Sequence, residues 1–588
     1  MIERRLSLTG CRWSIKEADE AALAILCRYL DLTRLTARAL LCRGVTSPEE
    51  ARCFLSHDLE GVIDPGRMKD MGEAVAAVER AIASGALIRI YGDYDVDGVC
   101  ATAMLVRALG GLGANVDWYI PHRIDEGYGV NEEAVRQAHA EGVGLLITVD
   151  CGSTAVKEVT LARELGMEVV VTDHHQPHAE MPPAPTLNPW RPDCAYPFKE
   201  LAGVGVAFKL VSAIARARGL PEGAEYRFLD LVCLGTVGDV VPLLGENRLF
   251  VRHGLLRMPK SKKVGVLALL AASRVSGEVG ARQVAFGLAP RINAAGRMEH
   301  AQAAVELLLT QDSAEAKRLA AGLCEQNDRR RAEEQQTLEQ AEEMVAREVD
   351  LSREKVLVLA SEGWHPGVIG IVASRLVERY HRPALLVALS DGMGKGSGRS
   401  IAALNLWEAL QECAPVLTRF GGHRFAAGFG IEAARVDELR RRVNEVADSR
   451  LTMDDLVREI AGDAEAQVSE LTIDAVSELN QLEPCGMGNP TPLLITRGLR
   501  VTEVTQLSGG LHLSLRLREE SGQVMEAIWW GRGAMAEKLS PGDVVDVCHR
   551  PRVDEWNGNV RVRMIVEDVR VEEAEGTGNG KVTADKRG

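Results

Sequence analysis

Residues 87–98 read LIRIYGDYDVDG: a mainly apolar run from Leu87 to Tyr91 breaks at Gly92 into three carboxylates on alternate positions, Asp93, Asp95 and Asp97. A short run of this composition, closed by a glycine and aspartates, is a buried strand running into a turn. The same unit recurs on its C-terminal side. NVDWYIP (115–121), VGLLITVDCG (143–152) and MEVVVTDHH (167–175) are further strands, separated by amphipathic stretches at 99–112, 131–141 and 154–165. Alternation of this kind predicts a parallel sheet covered by helices, with ligands at the carboxyl ends of the strands.

Those ends carry the chemistry. The first strand runs into Asp93, Asp95 and Asp97, the third into Asp150, and the fourth into Asp173, His174 and His175. Asp239 in LVCLGTVGDVVPL (231–243) follows another apolar run and reads as a further strand end. One such turn alone is compatible with a solvated loop, and one histidine pair with a surface feature. Carboxylates crowded at one sheet edge, however, repel and resist ionising together, and a divalent cation relieves that. Oxygen ligands with imidazoles suit Mn²⁺, Mg²⁺ or Zn²⁺, the hard oxygens favouring the first two. There are enough ligands for two ions about 3.5–4 Å apart, the arrangement that activates water and stabilises a leaving oxygen in phosphoryl transfer. Metal-assisted hydrolysis of a phosphate ester or anhydride is the reaction class.

The rest of the chain reads in blocks. Residues 1–80 show helical periodicity. The stretch 312–349, without proline and dense in Ala, Glu, Gln and Arg, is one long helix or a helix pair. A second α/β lobe follows, with strands KVLVLAS and RPALLVAL and glycine-rich turns at 392–398 and 421–430. Beyond 490, five strands with a helix-like GAMAEKL between the third and fourth have the order of an OB-fold. The polar end of the chain, 573–588, reads as a disordered tail.

Composition narrows the class. At 588 residues, 46% hydrophobic and 26% charged, the chain is neither collagen-like nor low-complexity and is long enough for several domains. A net charge of −15 shows no global basic field, although a local basic groove remains compatible with it. Twelve cysteines without a CxxC pair read as reduced side chains and argue against structural zinc. No signal-peptide core or membrane-length apolar run is visible, so a cytoplasmic protein with no membrane partner is expected.

GDYDVDG, TVDCG, the Asp173-His174-His175 triplet and GTVGDVVPL resemble the four motifs of the DHH phosphoesterase superfamily. GSGRS (396–400) and GGHRFAAGF (421–429) resemble its associated DHHA1 domain. The likeness runs through PRINAAGRME (290–299) to the OB-like segment, and within the superfamily it is closest to the RecJ family of single-stranded-DNA-specific 5′-to-3′ exonucleases. That resemblance implies an α/β fold of two lobes, DHH and DHHA1, joined by a long helix, plus a C-terminal OB-like β-barrel. The blocks become a helical N-terminal segment 1–80, a DHH catalytic domain 81–310, a connecting helix 311–349, a DHHA1 substrate-binding domain 350–455, an OB-fold 456–572 and the tail 573–588. It implies a catalytic set of Asp95, Asp97, Asp150, Asp173, His174, His175 and Asp239. The metal ligands would be Asp93, Asp95, Asp97, Asp150, His174 and Asp239, holding two Mn²⁺ or Mg²⁺ ions, with Asp173 bracing the histidines. Asp93 and His175 ligate, stand behind the ligands, or contact the scissile phosphate.

The resemblance further places a 5′-phosphate site at Arg123, Arg297, Ser397 and Arg399, where planar guanidinium forks suit a terminal phosphate. Gly421, Gly422 and His423 would face the nucleotide backbone near the metals. Solvated arginines and a plain turn before a strand are the competing readings. In the OB-like segment Leu511, Leu513, Leu515 and Leu517 alternate with His512, Ser514, Arg516 and Arg518, and Arg561 and Arg563 alternate with valines and Met564. With Trp529, Trp530 and Trp556 for stacking, this face fits single-stranded DNA, or else serves solubility. The implied role is DNA repair and recombination, with a single-strand-binding protein and a helicase as candidate partners. Two alternatives stay open: a DHH-family phosphodiesterase acting on short oligoribonucleotides or cyclic dinucleotides, and a non-catalytic replication scaffold. Length and the OB-like segment weigh against the first, and the intact motif residues against the second.

Overall fold

The structure, a computed structural model, describes residues 5–122, 126–127, 129–556 and 559–572. Two compact units result: Ser56–Leu456 with Glu483–Pro490, and Met1–Leu55 with Val457–Leu482 and Thr491–Gly588. Among the described residues no helix is long and apolar enough to cross a membrane.

The larger unit contains a five-stranded parallel sheet in the order Val116–Tyr119, Leu87–Gly92, Val143–Val149, Glu168–Thr172, Thr186–Leu187. Helices cover both faces, so the strands are near-continuous apolar runs, with Ile88, Ile90, Leu145, Ile147 and Val170 buried. Leu87–Gly92 lies between the second and third strands, so chain order reverses there. The loops leaving Leu87–Gly92 and Val143–Val149 therefore diverge, which opens a crevice at their carboxyl ends.

The last carboxylate arrives differently from the expectation. Asp239 ends an α-helix, Leu229–Asp239, not a strand. This helix is buried continuously from Leu229 to Val237, so it lacks the polar face that reveals a helix in sequence.

Beneath the sheet, Lys209 is wholly buried in the helix Gly203–Ala217 and pairs with Glu246, which also accepts from the Tyr196 hydroxyl. The Ile63 backbone closes the cluster: its carbonyl accepts from Lys209 at 2.8 Å and its N–H donates to Glu246 at 2.9 Å. Removing one partner leaves the other charge buried and uncompensated. Glu246→Ala is expected to cost about 3–5 kcal/mol, read as a lowered guanidinium midpoint for this unit. An unchanged midpoint would show that the pair carries no such load.

One 36-residue helix, Ser313–Glu348, leads to the second sheet, so the long polar stretch is a single helix and not a pair. That sheet has the order Arg419–Gly422, Ala426–Glu432, Met393–Arg399, Ala384–Ser390, Leu357–Glu362. The glycine-rich stretch expected as a turn at 392–398 is thus mostly strand. Its glycines make room for neighbours: a Cβ on Gly396 would meet the Phe429 ring at 2.2 Å, and one on Gly398 would meet Leu385 Cδ2 at 2.5 Å.

In the smaller unit, Leu494–Leu507, His512–Arg518, Val524–Trp529, Val544–Trp556 and Asn559–Val571 form a barrel closed by pairing of the first with the fourth. A 3₁₀ turn, Gly533–Lys538, replaces the expected helix. The N-terminal helices share the barrel's core through Leu23, Leu26, Leu35 and Leu40, and the segment opens with a strand, Arg12–Ile15, beside Glu459–Gly462. Two expectations for the barrel face are corrected. Trp529 is 2% exposed and fills the core, whereas Trp530 is open and edge-packed on His512. Arg561 and Arg563 both pair with Glu526, and Arg563 also with Asp554, so these two do not form a bare basic stripe. Leu511 lies in the turn before its strand and is exposed. The Trp556 side chain and the tail 573–588 lie outside the described residues.

Candidate metal centre

The centre is built by loops that have little freedom. Asp95 caps the helix Val96–Gly110, its carboxylate accepting from the N–H groups of Asp97 at 2.8 Å and Gly98 at 3.2 Å. Asp97, in the first turn of that helix and fully buried, accepts from Gly203 N at 2.6 Å and Val204 N at 3.0 Å. Asn293 Oδ1 takes the Val96 N–H at 2.8 Å, which pins the acidic loop from the side. Asp150 follows its strand in the left-handed region, φ 61°, which turns the chain sharply while keeping its carboxylate buried.

Asp173 accepts four hydrogen bonds, three of them from the histidines. It accepts from Ser153 N, His174 N, His175 N and His175 Nδ1, at 2.8, 2.7, 3.1 and 2.8 Å. Burial alone would raise its pKa, but the hydrogen bond and charge of His175 outweigh that and bring it down to about 2. His175 responds oppositely: desolvation is overcome by Asp173, and its pKa rises to about 9.

Three groups of potential ligand atoms result, each within 4.8 Å of one another: Asp93, Asp95 and Asp150; Asp150, His174 and His175; and Asp97, His174 and Asp239. The structure therefore brings together every expected metal ligand and adds His175. His174 Nε2 stands 3.1 Å from Asp150 Oδ1 and 3.6 Å from Asp239 Oδ2. His174 Nε2 and Asp239 Oδ2 are buried and make no hydrogen bond among the described residues. Buried polar atoms of this kind, facing further carboxylates, fit divalent cations.

Electrostatics agree. Burial, then repulsion from neighbouring aspartates, pushes Asp97 and Asp150 far above the usual carboxylate range, and burial raises Asp239. A carboxyl with a raised folded-state pKa holds a proton that the unfolded chain releases, so stability falls as pH rises between the two values. The metal-free protein is thus expected to lose stability as pH rises from the usual carboxylate range towards these raised values. Saturating Mn²⁺ should abolish the slope, because ligation requires the ionised form. Thermal melts in EDTA and in Mn²⁺ check this, and parallel pH profiles would remove the cluster from metal binding.

A second set converges on the amino end of the helix Ile369–Tyr380. A Cβ on Gly370 would lie 2.8 Å from Ser397 Oγ and 3.1 Å from Arg399 Nη2, and Arg297 donates to the Gly367 carbonyl at 3.4 Å. Two guanidinium groups, a hydroxyl and a helix amino end together favour an anion. Gly421, Gly422 and His423 sit instead on an exposed edge hairpin of the second sheet, where His423 N donates to Ala426 O. Arg123 lies outside the described residues.

Comparison with known proteins gives the same parts in the same order. Residues 87–236 match the DHH family, N-terminal domain; residues 353–449 the DHHA1 domain; and residues 462–568 the RecJ OB domain. The single-stranded-DNA-specific exonuclease RecJ of Bacillus subtilis is 40% identical over 568 residues, 96% of this chain and 71% of that one. The chain belongs to the RecJ family. The Thermus thermophilus RecJ is 41% identical over 509 residues, 86% of this chain and 72% of its own. The crystal structure of that RecJ in complex with Mn²⁺ superposes with a TM-score of 0.81 at 36% identity, covering 96% of this chain and 80% of the other. Its complex with Mg²⁺ gives 0.76 at 34%, covering 96% and 79%.

In this RecJ-family chain, several residues that hold the centre escaped the sequence reading: Gly203, Ser153, Asn188 and Asn293. Gly203 had a signal in LAGVGVAF, a glycine-rich start to an apolar helix. Asn293 lies inside PRINAAGRME, a stretch whose visible signal is the charged Arg297. Ser153 and Asn188 act through partners distant in sequence and had none.

Proposed function

We propose that this chain is a metal-dependent exonuclease that hydrolyses single-stranded DNA from its 5′ end. The observation that carries it is the cluster of five aspartates and two histidines at the crevice of the parallel sheet. Its support is the naming of its relatives as single-stranded-DNA-specific exonucleases and the capture of one of them with Mn²⁺ and with Mg²⁺. Two such ions, held by Asp93, Asp95, Asp97, Asp150, His174, His175 and Asp239, would supply Lewis-acid activation of water and neutralise charge at the scissile phosphate. The chain's own groups do the placing. Asp173 fixes the His175 ring, the Gly203 and Val204 N–H groups aim Asp97, and Asn293 holds the acidic loop.

Arg123, Arg297, Ser397 and Arg399 receive the 5′-phosphate in this reading, with Gly421, Gly422 and His423 along the strand. Arg399→Ala is expected to weaken use of 5′-phosphorylated ends by about 1.5–3 kcal/mol, roughly 10–150-fold in kcat/KM, because a charge-assisted bond is lost. Use of 5′-hydroxyl ends should hardly change, and equal losses on both would take Arg399 out of the terminus site.

We assign the catalytic domain to 81–310, the substrate domain to 350–455 and the OB-fold to 456–572. Cytoplasmic location fits twelve cysteines with no disulfide among the described residues. A role in DNA repair and recombination, with single-strand-binding protein and helicase partners, goes with the family. The test is digestion of a 3′-labelled, 5′-phosphorylated oligonucleotide with Mn²⁺, Mg²⁺ or EDTA, with duplex and RNA in parallel. Metal-dependent shortening of the single strand from its 5′ end is expected. Turnover of short RNA or cyclic dinucleotides in its place would move the chain to small substrates, and an intact protein that binds no metal would make it a scaffold.

A further inference from the structure

The loop Asn188–Cys194 beside the histidines is held by several buried or part-buried hydrogen bonds. Asn188, fully buried, donates to Ser153 Oγ and to the His175 carbonyl, both at 2.8 Å, and its Oδ1 accepts from Trp190 N at 2.8 Å. Lys199 Nζ ties down the carbonyls of Pro189 and Cys194, both at 2.7 Å. The Arg191 side chain is buried and reaches Asp70, Asp193 and the Thr186 carbonyl. The loop's one tryptophan is treated in the opposite way: Trp190 is exposed, at 37%. Its backbone N–H is joined to the His175 carbonyl through the single side-chain amide of Asn188.

We infer that Trp190 is a stacking platform for one unpaired nucleobase of the DNA strand at the metal centre, an inference that rests on the exonuclease reading above. Single exposed apolar residues are ordinary on a protein surface. This one differs in its setting, because the backbone beneath it is immobilised and lies one amide from a candidate metal ligand. A rigid aromatic surface loses little entropy on contact, and an indole face stacks on any base without reading its edges. Discrimination follows from geometry. Within a duplex both faces of every base short of the terminal pair are covered by its neighbours, so a base there must unstack before it can occupy the platform. Trp190 therefore contributes to the preference for single strands without a sequence preference.

The test uses the full chain with Trp190→Ala and Trp190→Phe, and 5′-phosphorylated single strands carrying one abasic position at successive distances from the 5′ end. Trp190→Ala should raise KM about 5–150-fold, the range for one stacked base, with kcat unchanged, and Trp190→Phe should restore most of the loss. In the unmodified protein, one abasic position should reproduce that rise in KM. In Trp190→Ala the same abasic position should cost nothing further. An unaltered KM in Trp190→Ala overturns the inference, as do abasic losses of equal size in both proteins at every position, or a loss confined to kcat and melting temperature. If the unmodified protein leaves single-stranded DNA intact with Mn²⁺, the exonuclease reading itself fails, and the inference with it.

Discussion

Asp150→Ala abolishes hydrolysis while leaving single-strand affinity nearly unchanged: this is the expected result, and it follows from where Asp150 stands. Its carboxylate belongs to two of the three ligand groups, one with Asp93 and Asp95 and one with the histidine pair. Loss of a group that merely orients a metal ligand costs about 10–100-fold, so removal of a shared ligand should exceed the top of that range. DNA affinity comes mostly from phosphate contacts elsewhere and should survive. Asp150→Asn is the control, because Asp150 sits at φ 61°. Asparagine tolerates the left-handed region at least as well as aspartate, whereas alanine adds backbone strain. If Asp150→Asn folds normally, takes up Mn²⁺ weakly by calorimetry and does not turn over, the defect lies in ligation. Retained turnover in either variant would remove Asp150 from the metal site.

The strands that lead to Asp93, Asp150 and Asp173 were legible because a parallel sheet buried on both faces demands unbroken apolar runs, and glycine or aspartate ends each of them. Their order in the sheet was not, since no local pattern says that Leu87–Gly92 pairs with both Val116–Tyr119 and Val143–Val149. Asp239 shows the reverse case. Its chemistry was visible as a carboxylate after an apolar run, but a helix buried all round and a buried strand look alike over eleven residues.

Other features depend on pairings between distant segments. Met393–Arg399 reads as a turn by composition, yet its glycines are strand positions emptied so that Phe429, Leu385 and Ile431 can pack. The adjacent tryptophans 529 and 530 alternate across the barrel wall, one inside and one out, and strand boundaries set which is which. Arg561 and Arg563 look free in sequence and meet Glu526 only because Val524–Trp529 pairs with Asn559–Val571. Residue types therefore announced the ligands, and the supports around them became visible only with long-range geometry.

The sharpest test of those supports is Gly203→Ala, a change that replaces no ligand. A Cβ at Gly203 would lie 2.6 Å from Asp150 Oδ1 and 2.8 Å from Asp150 Cβ, closer than real side chains approach. The Gly203 N–H also holds Asp97 Oδ2, so one methyl group disturbs two carboxylates at once. Asp150 cannot swing clear, because its backbone is fixed by the bond from Asp150 N to Thr172 O at 3.0 Å. Turnover should fall by about 100-fold, comparable to loss of a strong orienting group, with a parallel fall in Mn²⁺ affinity. Gly203 opens its helix without a left-handed φ, so alanine adds no backbone strain there and the fold should be retained. Gly205→Ala, two residues on, is the matched control. Its Cβ would meet only Leu201, at 3.3 Å from the mobile Cδ2 end, and activity should stay near that of the unmodified chain. Equal activities in the two variants would mean that the close packing of Gly203 on Asp150 does not position the metal ligands.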